Sequence, residues 1–479
     1  MLNKYDLIVG LEIHAELSTN SKIYCSCKNE FGLEVNSVCC PICTGMPGTL
    51  PTLNKKVVEY AVKMGLATNC KINQISKQDR KNYFYPDLPK AYQISQSDIP
   101  LCEDGYLDIL LEDGKTKRIG ITRIHIEEDA GKLLKTDKFD GTLIDFNRCG
   151  VPLIEIVSEP DIRSVEEAKA YLETIKSYLK YLNISDAKMQ EGSIRCDVNV
   201  SVKPTSQKNL GTRCEMKNVN TFSGAIKAIE FEYQRQIDIL ESGGTINQET
   251  RKWDEKLSKT IAIRSKENAQ DYRYFPEPDL KNIFVDNDTI ERISNDIPEM
   301  PNHKTIRYIN DFNLPQNDAK LIANNIQRAT LFEKTYELNK KLDTKSIANW
   351  ILTTISEQVN KTSKNHLEII TPENLNKIIS YIQSGSISTS SGKKIFKQIV
   401  ANNSKSIDQL ITDLGLEQIS NTDELEDIVL KVLKENEKSI NDYKNGKTNA
   451  FGYLVGQCIK ATKGKGNPSI IKESLKKHI

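Results

Sequence analysis

No run in the 479 residues approaches the roughly 20 consecutive apolar positions that a helix needs to cross a bilayer. The opening Met1-Leu2-Asn3-Lys4-Tyr5-Asp6 passes almost at once into a strand pattern. No signal or transit peptide is expected from this start, and a cytoplasmic location is expected with it. No Gly-x-x-x-x-Gly-Lys-Ser/Thr occurs, because Gly446-Lys447-Thr448 lacks the upstream glycine. Any use of ATP must therefore run on a site other than a P-loop. Gly-x-Ser-x-Gly is missing too, and nothing nominates a Ser/His/Asp triad. No internal repeat of fixed period is present. The chain has eleven cysteines, but with no secretory signature they do not read as a disulfide framework.

What is there describes a soluble globular protein, 38% hydrophobic and 27% charged. Its length exceeds what one core organises, so roughly two to four domains are expected. The net charge of +1 hides an asymmetry near the end. Residues 408–442 carry ten acids and three lysines, whereas 443–479 carry eight lysines and one glutamate. A basic end of this kind suits phosphate backbones, and a merely solvated surface explains the charge equally well.

Residues 1 to about 290 read as strands and turns with a few helices. Strand patterns lie at 106–111, 119–126, 152–157 and 195–202. A capping box, Ser164 with Glu167, opens a helix, and a second helix runs from about Ser223 to Leu240 before Gly243-Gly244. From about 295 the apolar spacing becomes helical, over 303–312, 316–340 and 344–358. Thr371-Pro372 marks another helix start. A Ser-rich link, Ser384 to Gly392, joins two short helices, and a last helical unit spans about 407–479.

Two strand segments carry acids where a buried strand should be apolar. In Leu7 to Leu17, alternation sets Leu7, Val9, Leu11, Ile13, Ala15 and Leu17 against Glu12, His14 and Glu16. Pro152 to Val157 is apolar on both faces except for Glu155. A carboxylate among Leu, Ile and Val stays charged only when a cation or hydrogen-bond donors compensate it. Glu127-Glu128-Asp129, after the strand pattern Ile124-His125-Ile126, adds a third acidic group, and Glu159, Asp197 and Glu215 are further contributors. Carboxylates with few imidazoles favour Mg²⁺ or Mn²⁺ over zinc, and Mg²⁺ so held usually also meets substrate phosphates.

Cys25-Ser26-Cys27 followed by Cys40-Pro41-Ile42-Cys43 has the spacing of a closed, structural zinc site, with Cys39 as the non-ligand. A redox Cys-x-x-Cys is disfavoured because no βαβ pattern surrounds it. The stretch Asp79 to Gln96 interleaves Arg80, Lys81 and Lys90 with Tyr83, Phe84, Tyr85 and Tyr92, and Asp271 to Asp279 has the same character. Such stretches can hold phosphates and stack bases, or simply pack as loops.

These stretches, from Val9-Gly10-Leu11-Glu12-Ile13-His14 to Asp442-Tyr443-Lys444-Asn445-Gly446-Lys447, resemble the B subunits of the tRNA-dependent amidotransferases over the whole length. The resemblance implies an α+β chain. A β-rich cradle at 1–293, with a zinc-binding insertion near 25–43, would precede a helical domain at 294–406 and a small YqeY-like helical tail at 407–479. It implies a heterotrimer with a glutaminase A subunit and a small C subunit. This chain would bind misacylated tRNA(Asn) or tRNA(Gln) and phosphorylate the side-chain carboxylate with ATP and Mg²⁺. Ammonia from the partner would then amidate it. On matching positions, Glu12, His14, Glu127 and Glu155 are assigned to Mg²⁺, with Glu128, Asp197 and Glu215 behind them. Lys81, together with Glu12 and His14, is catalytic, Lys81 neutralising phosphate. Cys25, Cys27, Cys40 and Cys43 are assigned to zinc. Lys444, Lys447, Lys460, Lys463 and Lys465 are assigned to tRNA. The rival readings are a non-catalytic zinc-containing RNA-binding subunit, which leaves Glu155 unexplained, and a Mg²⁺-dependent phosphohydrolase.

Overall fold

Alternation in the first strand decides the architecture of the N-terminal half. The structure, a computed structural model, describes residues 4–136, 140–219, 221–265, 272–362, 364–401, 405–419, 422–462 and 465–479. Lys463 and Asp271 lie outside the described residues. Two compact units are present, Met1–His303 and Lys304–Ile479.

In the first unit the strands are β1 (Tyr5–Glu16), β2 (Lys71–Ile72), β3 (Ile75–Ser76), β4 (Asp79–Asn82), β5 (Tyr92–Ser95), β6 (Cys102–Leu110) and β7 (Thr116–Glu128). There follow β8 (Lys132–Lys135), β9 (Thr142–Asp145), β10 (Pro152–Ser158), β11 (Ile194–Pro204) and β12 (Cys214–Val219). The last are β13 (Glu249–Asp254), β14 (Lys259–Ser265), β15 (Phe275–Pro276) and β16 (Ile283–Phe284). Nine of them form one sheet in the order β14-β13-β12-β11-β1-β10-β7-β6-β2. All its pairs are antiparallel except β12 with β13. The order places β1 centrally, between two strands that follow it by well over a hundred residues.

One face of this sheet is a continuous apolar layer. Val9, Leu11, Ile13, Ile124, Ile126, Ile154, Ile156, Val198 and Val200 are all buried there. Helices α1 (Lys55–Ala67), α2 (Val165–Tyr181) and α3 (Phe222–Glu241) cover it with residues such as Val57, Leu172, Ile175 and Ile229. Each fully buried aliphatic side chain in this layer contributes about 1.5–3 kcal/mol. The opposite face is mostly polar, with Leu153 and Val157 among its exceptions, and the site is built there.

The helix termini follow from local chemistry, with one departure. Ser164 Oγ accepts from the Glu167 N–H at 3.1 Å, as a capping box requires. The Glu167 carboxylate, however, accepts from the Arg163 N–H and takes Lys117 as its ion partner, each at 2.6 Å. Only half of the expected box forms. Helix α3 is capped by Thr221 and ends before Gly243, whose φ of 78° suits a residue without a Cβ.

In the second unit every named element is a helix, so the chain is α+β as expected. The helix expected over 316–340 is two, Gln316–Ala323 and Ile326–Leu338, because Asn325 accepts the Arg328 N–H and starts a new one. The segment 344–358 is helical but passes through a π-turn at Trp350–Ile355. There Ser356 Oγ donates to the Ile351 carbonyl at 2.7 Å. Pro372–Gln383 begins at Thr371, and the second half of the Ser-rich link is the start of helix Thr389–Val400, capped by Ser388. Tyr308, Phe332, Trp350 and Leu375 share one core that also takes Ile407, Leu410 and Ile411 of helix Ile407–Asp413. That helix belongs by packing with the residues before it. A separate core holds Leu425, Val429, Leu454, Cys458, Ile471 and Leu475.

Candidate active site and metal centres

Directly opposed residues of an antiparallel pair share a face. The register therefore lays one line of side chains across four strands, Arg195, His14, Glu155 and His125 on β11, β1, β10 and β7. Two residues along, the next line contains Asp197, Glu12, Val157 and Arg123. On the other side, Glu16, Leu153 and Glu127 form a third line. Strand alternation thus gathers the polar residues of four segments on the face away from the helices.

The first cluster centres on His14. Its Nε2 lies 3.3 Å from Glu155 and 3.5 Å from Glu127. His125 Nε2 lies 3.4 Å from Glu155 and 3.7 Å from Glu127, and Ser95 Oγ donates to Glu127 at 3.2 Å. Burial lowers the His14 pKa, but Glu155 and Glu127 outweigh it and push it up to about 9. The imidazoles of His125 and His14 in return hold Glu155 well below the carboxylate range against its own burial. Glu155 is thus compensated, as a buried acid must be.

The second cluster is Glu12, Asp197 and Glu215, whose carboxylates approach within 4.8 Å of one another. Asn199 Nδ2 donates to Glu12 at 2.8 Å, and Lys217 lies 3.6 Å from Asp197 and 3.5 Å from Glu215. This cation does not balance the group. Burial first, and then Glu155, Glu215 and Asp197, push the Glu12 pKa up. Asn199 Oδ1 is buried with no hydrogen-bond partner. Surplus negative charge, an orphan carbonyl oxygen and an all-oxygen donor set fit a hard divalent cation such as Mg²⁺. The His14 cluster, with two carboxylates and an imidazole, also fits one. A cleft of about 300 Å³ opens beside Glu12, lined by Gly10, Ser158, Asn199 and Arg213 among others.

Lys81 stands over these clusters on β4, which pairs with β15 and β5 in a separate small sheet. Its Nζ lies 5.0 Å from the Tyr272 ring centre and 5.9 Å from that of Tyr83. Burial opposes its charge, but Glu127, Tyr274 and Glu155 raise its pKa further. The two aromatic-basic stretches therefore meet. Arg80 clamps the buried Glu277 through two bonds of 2.6 and 2.8 Å and stacks on Tyr92 at 4.2 Å.

Not every expected residue converges. Glu128 is turned away from Glu127 by the same alternation. Its carboxylate pairs with Lys90 and accepts the Ile94 N–H at 2.9 Å, so it joins neither cluster. The three consecutive acids thus have three fates, since Asp129 pairs with Arg195 and Arg148. Glu159 is exposed and accepts from Thr122. Sequence reasoning overlooked His125 and Asn199 as site residues. The first could have been found from its i, i+2 spacing to Glu127 on one strand face.

Cys25, Cys27, Cys40 and Cys43 bring their sulfurs within 4.8 Å of one another, and all are free thiols. The Cys40 N–H donates to Cys43 Sγ at 3.1 Å. Lys22 is fully buried with its Nζ 3.7 Å from Cys43 Sγ and 2.8 Å from the Val38 carbonyl. The hydrogen bond from Cys25, and then Lys22 against the effect of burial, lower the Cys43 thiol to about 5. A buried ammonium beside a thiolate, with three more thiols in reach, fits a closed tetrahedral Zn²⁺ site. Cys39 lies apart, its Sγ donating to the Asn36 carbonyl.

In the last helical unit Lys444, Lys447, Lys460 and Lys465 are exposed, and Lys447 pairs with Asp442 at 3.0 Å.

The family model described as the GatB/GatE catalytic domain matches residues 7–291, and that of the GatB domain matches 330–479. The B subunit of the aspartyl/glutamyl-tRNA(Asn/Gln) amidotransferase of Caldicellulosiruptor saccharolyticus is 51% identical over 480 residues, covering 99% of each chain. That of Thermoanaerobacter pseudethanolicus is 53% identical over 478 residues, again 99% of each. The Clostridium botulinum (Loch Maree) protein of the same name is 48% identical over 468 residues, 98% of this chain and 97% of its own. This chain belongs to the family of amidotransferase B subunits. The catalytic-domain match of that family ends at residue 291 and so contains both acid clusters, Lys81 and the cysteine site. No described helix is long and apolar enough to cross a membrane.

Proposed function

We propose that this chain is the B subunit of a cytoplasmic, glutamine-dependent heterotrimer that converts Asp-tRNA(Asn), Glu-tRNA(Gln) or both to the amidated forms. The observation that carries the reading is the pair of acid clusters on one polar sheet face with Lys81 above them. A carboxylate is a poor acyl group, and phosphorylation supplies the leaving group it lacks. One carboxylate oxygen of the aminoacyl side chain attacks the γ-phosphorus of ATP. The bond from phosphorus to the bridging oxygen breaks, and ADP departs. Ammonia from a glutaminase A subunit then attacks the acyl carbon, the bond to the phosphate oxygen breaks, and hydrogen phosphate leaves carrying the nitrogen's proton.

Phosphoryl transfer of this kind is mainly positioning and charge neutralisation. Mg²⁺ bound by His14, Glu127 and Glu155, and by Glu12, Asp197 and Glu215, would supply much of that neutralisation. Lys81 faces the transferred phosphate, and Asn199 holds Glu12 in place through its 2.8 Å bond. The cysteine site holds structural Zn²⁺. Residues 1–293 carry the chemistry, and the helical domain that begins at 294 includes helix Ile407–Asp413, whose apolar residues join its core. The tail that follows binds tRNA through Lys444, Lys447, Lys460 and Lys465, and a small C subunit completes the assembly. Co-expression with A and C subunits, followed by conversion of Asp-tRNA(Asn) and Glu-tRNA(Gln) with ATP and glutamine, tests the reading. Failure of both substrates in an intact heterotrimer refutes it.

A further inference from the structure

Arg123 lies on the polar face of the sheet, across β10 from Glu12. Elsewhere in this unit Arg80 pairs with Glu277, Arg118 with Asp108, Arg195 with Asp129 and Arg251 with Glu249. Among the described residues Arg123 makes no ion pair, and its Nε is buried without a hydrogen-bond partner. It sits on β7 two residues from His125 on the same face, in line with Val157, Glu12 and Asp197. Burial raises the Tyr274 pKa, and the charges of Lys81 on β4 and Arg123 on β7 both act against that rise, so the two cations share one neighbourhood. An unmade hydrogen bond at a buried donor is destabilising, and a guanidinium cannot shed its charge to avoid it. The fold keeps this arginine without an ion pair beside the Glu12 cluster, which carries surplus acid, and the His14 cluster.

We infer that Arg123 clamps the terminal phosphate of a nucleoside triphosphate, with Lys81 on the other side of the same anion. The planar fork of arginine matches two phosphate oxygens at once, which lysine cannot do. The clusters of Glu12 and His14 lie within the same patch, so a cation-bound polyphosphate meets positive groups from β4 and β7 and metal from β1, β10 and β11. This inference rests on the proposed phosphoryl transfer but names a residue which that reading does not require.

The test uses the assembled enzyme, with binding of Mg²⁺-ATP by equilibrium dialysis and of misacylated tRNA by filter retention. R123Q should weaken ATP binding by about 30-fold and slow ATP cleavage by roughly 100-fold. Its tRNA affinity should stay within about twofold of wild type. R123K, which keeps the charge and loses the fork, should fall between the two, and it decides the matter should R123Q not fold. ATP binding and cleavage within about twofold of wild type in both variants overturns the inference. A loss confined to tRNA affinity also overturns it and assigns the arginine to the RNA backbone instead. If the wild-type enzyme cleaves no ATP, phosphoryl transfer fails as a reading. The dialysis result with R123Q still decides whether Arg123 holds a nucleotide phosphate.

Discussion

Replacing Glu155 with glutamine keeps the shape of the side chain and removes the charge between two imidazoles at 3.3 and 3.4 Å. The rise of His14 from its ordinary 6.5 to about 9 corresponds to roughly 3 kcal/mol of preference for the charged imidazole in the folded state. Glu155 is the leading attraction behind it, so E155Q should destabilise the metal-free first unit by about 2–3 kcal/mol near pH 6. The sign follows from both partners. A raised histidine pKa stabilises fully below 6.5, and that stabilisation is lost as pH rises through about 9. The depressed Glu155 pKa stabilises above the ordinary 4.5 and is lost on acidification. The largest penalty therefore falls between about pH 5 and 6.5, and it should shrink to under about 1 kcal/mol at pH 9.5. A chain with several cores does not unfold in one step, so hydrogen exchange at the β1 and β10 amides in EDTA is the suitable measurement. With Mg²⁺ restored, wild type should gain protection and E155Q should not. A loss of equal size at pH 6 and 9.5 would mean that packing rather than charge holds this site, and would refute the reasoning.

Changing Cys40 and Cys43 together to serine should remove about one zinc per chain by elemental analysis, and zinc absent from the intact protein rules the site out. Lys22→Met, which withdraws the buried ammonium from Cys43, should speed zinc release to a chelator by about tenfold; an unchanged rate would leave Lys22 a packing residue. In the helical unit, burial and then Arg328 push the His366 pKa down to about 4. Full stability therefore holds above pH 6.5 and is lost as pH falls toward 4, by up to about 3 kcal/mol. Chemical denaturation of H366Q should show a flatter pH profile, and an identical profile contradicts the assignment. Reversing Lys444, Lys460 and Lys465 to glutamate should weaken tRNA binding and reduce the salt slope by roughly one for each phosphate no longer neutralised, with glutaminase activity unaffected. An unchanged slope would remove the tail from the RNA interface.

Local pattern revealed the strands, and non-local pairing decided the site. Alternation in Leu7 to Leu17 placed Glu12 and His14 on the polar face, because the period of two is a property of the strand itself, and the lone acid of Pro152 to Val157 marked Glu155 as a buried charge in need of a partner. Nothing in the sequence says that β1 lies between β10 and β11. The separation of the acids into a His14 group and a Glu12 group comes from that order, which brings Asp197 and Glu215 to Glu12 and Glu127 to His14. Glu128 was misplaced for a reason the period already contained, since neighbours in a strand cannot face the same ion. The convergence of the four cysteines was legible because their two pairs lie close together in the chain, whereas Lys22 beside Cys43 was not, since an isolated lysine carries no pattern. The half-made capping box at Ser164 has the same origin. Glu167 answers Lys117 from a distant strand and the Arg163 N–H, and competition of this kind lies outside any local motif.

Phosphorylation of the aminoacyl carboxylate at the sheet face of Glu12, His14 and Glu155 is the central step proposed for this chain. The heterotrimer, given ATP, Mg²⁺ and misacylated tRNA without glutamine, should cleave ATP, and added hydroxylamine should trap the acyl phosphate as an aminoacyl hydroxamate on the tRNA. ATP cleavage that proceeds equally well with uncharged tRNA and yields no hydroxamate would contradict it.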